Sequence, residues 1–111
     1  MGKEEIKVQL IDMAYLYRKD KEVLLRTHDG QGFVFWQSLD EIEKKLDPAH
    51  FCRVNRSYII TRKSFKRLQK QSDRGIHLEL EPQTELPVKI SRDKAAMVIS
   101  WLKAQLVIKN R

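Results

Sequence analysis

The sequence predicts a mainly β fold with one short capped helix and a second helix at the C-terminal end. Three observations carry that reading. Short runs of apolar and β-branched residues recur about every 8 to 12 residues between turn signals, the spacing of sandwiches and barrels. Ser38-Leu39-Asp40-Glu41 has the form of a capping box, in which a serine and a glutamate three residues on satisfy the free amides of a helix start. From Arg92 onward, apolar residues fall at helical spacing. The 111 residues suit one domain, residues 1–111, with a real core and without internal repeats.

In chain order, Ile6, Val8 and Leu10 alternate with Lys7 and Gln9, which predicts a half-buried strand. A second strand is expected over Met13–Tyr17. The polar run Arg18–Glu22 then connects it, as a hairpin, to Val23–Thr27. Asp29-Gly30-Gln31-Gly32 is a turn signal before Phe33, Val34, Phe35 and Trp36. Leu39, Ile42 and Leu46 give the capped helix its apolar face, and it should end at Leu46 or Asp47 because Pro48 cannot continue it. Phe51–Val54 and Tyr58–Ile60 read as strands interrupted by Asn55-Arg56-Ser57. Phe65–Gln71 and Ile76–Leu80 flank a turn at Ser72–Gly75. A further turn at Glu81–Thr84 precedes a strand from Glu85 to Ile90. Ser91 suits the N-cap of a final helix over roughly Arg92–Lys109. Ala95, Val98, Leu102 and Leu106 form one apolar stripe of that helix, and Met97, Trp101, Ala104 and Ile108 a neighbouring one. So wide a face either lies wholly in the core or partly meets another domain or subunit.

Charge is distributed unevenly. Between Arg53 and Lys70 lie Arg53, Arg56, Arg62, Lys63, Lys66, Arg67 and Lys70, seven positive charges with no Asp or Glu among them. Taking these seven from the 22 basic residues leaves 15 against 15 acidic ones, so the formal net charge of +7 resides in this segment. Val54, Tyr58, Ile59, Ile60, Phe65 and Leu68 supply the burial that a disordered basic tail lacks. A folded, acid-free basic surface is the footprint of a protein that meets phosphates.

Other chemistry finds little support. Cys52 is the single cysteine, which excludes an internal disulfide and any zinc site needing two thiolates from this chain, and it reads as a small buried hydrophobe. His28, His50 and His77 share no metal-ligand spacing, so no metal site is expected. His77 and Glu79 share a strand face, an ordinary solvent-facing pattern. Phosphate-cradling glycine loops and a G-x-S-x-G elbow are missing, so neither an enzyme, nor a catalytic residue, nor a cofactor, nor a small-molecule substrate is expected. The longest apolar runs fall short of the roughly 20 residues that span a bilayer, and the first residues lack signal-peptide features. A cytoplasmic protein without membrane contact is the expectation.

Phe51-Cys52-Arg53-Val54-Asn55-Arg56-Ser57-Tyr58-Ile59-Ile60-Thr61 resembles the central motif of the LytTR DNA-binding domain, the output domain of LytR/AlgR-type response regulators. The strand, polar loop and strand over Met13–Thr27, the capped helix Ser38–Leu46 and Pro87–Lys94 extend the resemblance over nearly the whole chain. Asn55 stands where that family usually has His, Thr61 where it often has Asn, and Lys89-Ile90 separate Pro87-Val88 from Ser91-Arg92. The resemblance implies an elongated fold of about ten short strands in small stacked sheets, with loops rather than a recognition helix entering successive major grooves of double-stranded DNA. Carried over, those loops are Arg18–Glu22, Asn55–Ser57 and Lys89–Arg92.

On this reading Arg56 and Arg92 are base readers, since the planar guanidinium matches the O6 and N7 acceptors of guanine. Asn55 reads an adenine edge or bonds a phosphate, and the Lys21–Glu22 end of the first loop matches a base-contacting position, Glu22 being able to accept from a cytosine amino group. Arg18, Lys19, Arg53, Ser57, Arg62, Lys63 and Lys89 are assigned to phosphates, where they position without reading. For Arg56 the competing role is a surface salt bridge, and for Arg18, Lys19 and Lys21 a solvated hairpin loop. The implied role is a transcriptional regulator, the output half of a two-component response regulator in bacteria, with a receiver domain or a second copy able to meet the C-terminal helix. An RNA or single-strand binder would use the same basic face but needs exposed aromatic platforms, for which only Tyr58 and Phe65 are at hand. A module docking an acidic protein would need no nucleic-acid geometry.

Overall fold

The computed structural model describes residues 5–71 and 75–104. The strands in chain order are β1 (Met13–Lys19), β2 (Glu22–Thr27), β3 (Gly32–Phe35), β4 (Phe51–Arg53), β5 (Tyr58–Thr61), β6 (Phe65–Gln71), β7 (Gly75–Leu80) and β8 (Val88–Lys89). Helix α1 (Leu39–Lys45) lies between β3 and β4, and helix α2 (Ala95–Lys103) follows β8. They form a five-stranded sheet of order β3-β2-β1-β5-β4 and a three-stranded sheet of order β6-β7-β8, with every pairing antiparallel. The molecule measures 56 × 35 × 25 Å, elongated as expected. Eight strands among the described residues replace the expected ten.

The central strand β1 divides the core in two. Its register against β2 shifts between Met13 and Tyr15, a bulge that turns Ala14 and Tyr15 towards the same side. On that side they join Cys52, Val54 and Ile60 of the large sheet, Leu78, Leu80, Val88 and Ile90 of the small sheet, and Val98 and Leu102 of α2. On the other side Met13, Leu16, Val23, Leu25, Phe51 and Ile59 pack against Leu39 and Ile42 of α1. The carbonyl freed at the bulge is not left dry, because the Thr61 hydroxyl donates to Ala14 O at 2.7 Å. Cys52 is buried as expected, and that burial pushes its thiol pKa up.

Helix α1 begins as its sequence dictates. The Ser38 hydroxyl accepts from Glu41 N at 3.2 Å and the Glu41 carboxylate accepts from Ser38 N at 3.2 Å. Ser38→Ala removes one half of this exchange and should cost about 1 kcal/mol in a urea melt. Helix α2 is fixed by a clamp rather than a cap: Trp101 Nε1 donates to Pro48 O at 3.0 Å, and Arg62 Nε donates to Trp101 O at 3.1 Å. The Arg62 guanidinium also lies 4.2 Å from the indole centroid and donates to Ala49 O.

Four boundaries differ from expectation. Residues Ile6–Leu10 form no strand, because no sheet edge receives them; Ile6 and Leu10 stay more than half exposed, and a 3-10 turn follows at Leu10–Asp12. The Arg18–Glu22 loop contracts to a two-residue Asp20-Lys21 turn, since Lys19 pairs with Glu22; Asp20 takes φ 57, a conformation that Asp tolerates. The Glu85–Ile90 strand shrinks to Val88–Lys89, in keeping with the missing amide of Pro87. Ser91 makes no side-chain cap; its amide bonds Val54 O at 3.0 Å, a 3-10 turn spans Arg92–Lys94, and α2 starts at Ala95. The expected turn residues 72–74 and the helix beyond residue 104, with Leu106 and Ile108, lie outside the described residues.

Candidate nucleic-acid interface

Three connections meet at one end of the large sheet: the β1–β2 turn, the β4–β5 connection Val54–Ser57, and the β8–α2 connection from Ile90 to Lys94. Hydrogen bonds knit them together. Arg18 N donates to Ser57 O at 2.9 Å, Ser57 N to Asn55 Oδ1 at 2.7 Å, Asn55 Nδ2 to Lys89 O at 2.6 Å, and Ser91 N to Val54 O at 3.0 Å. Between the second and third connections an open hollow is lined by Asn55, Arg56, Ser57, Lys89 and Arg92, with Gly75 beside them. Gly75 has φ 87, a backbone conformation that favours glycine, and Lys89 Cε would lie 3.3 Å from a Cβ placed there.

Arg56, Arg92, Lys21, Glu22 and Lys89 are exposed at this end, and Ser57 is half-buried. Arg18 is exposed, with its Nε on Asp20 O at 3.3 Å. Lys19 reaches Glu85 at 2.8 Å, an exposed pair that raises the ammonium pKa and lowers the carboxyl pKa. Such pairs are worth little and yield readily to a phosphate.

Four expected contacts have other occupations. Arg53 turns inward, its side chain 12% exposed, onto Asp40 at 2.9 Å and Glu43 at 3.0 Å. Asn55 spends both ends of its amide within the protein, Oδ1 accepting from Ser57 N of its own loop and Nδ2 donating to Lys89 O. Arg62 is the α2 clamp. Lys63 lies in the β5–β6 turn, beyond β5 from the Asn55–Ser57 loop, lining a hollow with Leu10, Met13 and His28. The four residues of β5 separate that loop from Thr61 by about 13 Å of strand rise. At Lys63's end, burial first and the Lys63 ammonium second lower the pKa of His28.

The acid-free stretch of sequence is therefore not acid-free in space. Asp40 and Glu43 face Arg53, and Glu79 lies 3.3 Å from Lys66 and 3.7 Å from Arg67. The residues that sequence reasoning missed are Asp40 and Glu43. Their i, i+3 spacing on a capped helix puts them on one face, but nothing local says which strand that face meets.

Tyr15, Tyr17, Tyr58 and Phe65 are not offered as a platform. Tyr17 and Tyr58 stack at 5.3 Å with rings 11° apart, Tyr15 lies 5.9 Å from Tyr58, and the three pack with Phe65 against the inter-sheet core. Burial pushes the Tyr58 hydroxyl up to about 12.

A family model described as the LytTr DNA-binding domain matches residues 3–103. The chain belongs to the LytTR DNA-binding domain family. It is therefore a DNA-binding domain. The LytTR domain is 28% identical over 75 residues to the transcriptional regulatory protein LytR of Staphylococcus aureus strain MW2, a match covering 60% of this chain and 30% of that protein. The LytR of strain N315 is 27% identical over the same lengths. The chain thus spans only about a third of the curated relatives that it matches. Among solved structures, the LytTr DNA-binding domain of a Bacillus cereus protein described as a methyl-accepting/DNA response regulator shares its fold. The TM-score is 0.73 at 24% identity, covering 87% of this chain and 86% of that one. No helix among the described residues is long and apolar enough to cross a membrane.

Proposed function

We propose that the LytTR domain, as one unit over residues 1–111, reads double-stranded DNA by setting the three knitted connections into successive major grooves. The observation that supports this best is their convergence: exposed Arg56 and Arg92 line one hollow, and exposed Lys21 lies at the same end of the large sheet, on connections tied to one another by hydrogen bonds. Arg56 and Arg92 carry forks suited to guanine, Lys21 reaches a base edge beside them, and Glu22 accepts from a cytosine amino group. Arg18, Lys19, Ser57 and Lys89 take phosphates. A duplex is favoured over single strands because Tyr58 and Phe65, the aromatics that accompany the basic segment, pack against the core and are not free to stack on bases.

In the cell the domain serves as the output half of a two-component response regulator in the bacterial cytoplasm. The partner is a receiver domain or a second copy, for which half-exposed Met97 on α2 offers apolar surface.

Selection from randomised duplexes at two salt concentrations tests the reading. A short enriched motif, repeated about one helical turn apart, supports it. Weak binding without enrichment that vanishes at modest salt would leave only a generic anion surface. Lys89→Ala should weaken selected and random duplexes alike and lower the salt slope by about 1, whereas Lys63→Ala, at the far end, should change neither.

A further inference from the structure

Arg53 uses four of its five guanidinium N–H groups within the protein. Nε donates to Asn55 O at 2.9 Å and Nη2 to Arg56 O at 2.7 Å, so the fork grips the backbone of the tip that presents Arg56. Nη1 divides its two hydrogens between Asp40 at 2.9 Å and Glu43 at 3.0 Å, successive positions along one face of α1. Within the tip Ser57 N donates to Asn55 Oδ1 at 2.7 Å, Val54 N donates to Tyr58 O at its base, and two further ties run outward, from Asn55 Nδ2 to Lys89 O and from Arg18 N to the Ser57 carbonyl. The two carboxylates are the charged anchors that hold this little-exposed guanidinium against the tip. Deprived of both, it loses that anchoring and is free to turn its charge towards water, which weakens its hold on the two carbonyls.

We propose that α1 sets the sequence selectivity of the LytTR domain from behind the interface: Asp40 and Glu43 are positioning residues, acting through Arg53 on the Asn55–Ser57 tip. This rests on the proposed reading of DNA by that tip. Each carboxylate alone is a solvent-facing partner, 83% and 47% exposed, and one can substitute for the other. The two together carry the role.

Electrostatics gives the test its sign. Taking two negative charges from a DNA-binding domain raises affinity for any duplex, because phosphates are repelled less. Loosening the tip lowers affinity for the selected sequence alone. The experiment compares wild type, Asp40→Ala, Glu43→Ala and the double variant, since Asn or Gln would keep an acceptor oxygen in place, on the selected duplex and on a random one, at two salt concentrations, with a melting curve for each protein. Either single variant should keep the ratio of selected to random affinity within about twofold. The double variant should lose about tenfold of that ratio, with the loss concentrated at the base pair read by Arg56. Equal gains on both duplexes with an unchanged ratio would overturn the proposal. If the double variant melts too early to be assayed, Arg53→Lys serves instead: it keeps the charge but cannot span four acceptors, and the same fall in the ratio is expected. An unchanged ratio there would also overturn it. A wild-type domain that enriches no motif is a separate outcome; it sinks DNA reading itself before any variant is compared.

Discussion

Arg56→Ala should weaken binding to the selected duplex by about 1 to 3 kcal/mol while leaving the random duplex nearly untouched, and should flatten the preference at one base pair. The expectation follows from position. Arg56 is exposed at the tip, its carbonyl is held by Arg53, and its guanidinium has no acid within ion-pair distance among the described residues, so no internal pair competes with a base. Competition titrations with single-base variants of the selected site measure it. Equal losses on selected and random DNA would move Arg56 from reading to phosphate contact.

Ile60→Ala should be the most damaging single change to stability, costing about 2 to 5 kcal/mol by urea denaturation. Ile60 is fully buried on β5, where the large sheet meets the small sheet and α2. The side chain faces two elements that cannot both close on the gap. For a domain whose whole stability is of order 5 to 15 kcal/mol, such a loss populates the unfolded chain. It also bears on function, since Asn55–Ser57 hang from the large sheet and Lys89–Arg92 from the small one. A cost below about 1 kcal/mol would mean that the two sheets settle together without this side chain.

Much of this architecture is legible in the sequence because its signals are local. The capping box at Ser38 and Glu41, the Asp29–Gly32 turn and the hairpin of β1 and β2 each follow from chemistry within a few residues. What was misread depends on distant neighbours. Ile6–Leu10 alternates like a strand, but a strand needs an edge to join, and local pattern says nothing of vacancies in a sheet. Ser91 does stand at the N-cap position before Arg92, but its side chain makes no capping bond, and its amide is held by Val54 O, far back in the chain.

The site divides in the same way. Arg56 and Arg92 stand out as charges at breaks between elements, and they are exposed together. Arg53 and Arg62, equally basic in a list of residues, are turned inward by carboxylates and an indole that no spacing rule links to them. Lys63 shows a third limit: adjacent in sequence to the motif, it is carried by β5 to the opposite end of the sheet.

Two of the bonds that join the reading loops, Arg18 N to Ser57 O and Ser91 N to Val54 O, run between main-chain atoms. They do not depend on which side chains those loops display. Exchanging Arg56, Arg92 or Lys21 for other polar residues therefore changes the letters while the spacing between them stays fixed. Such a scaffold lends itself to retargeting, by evolution or by design, one base pair at a time.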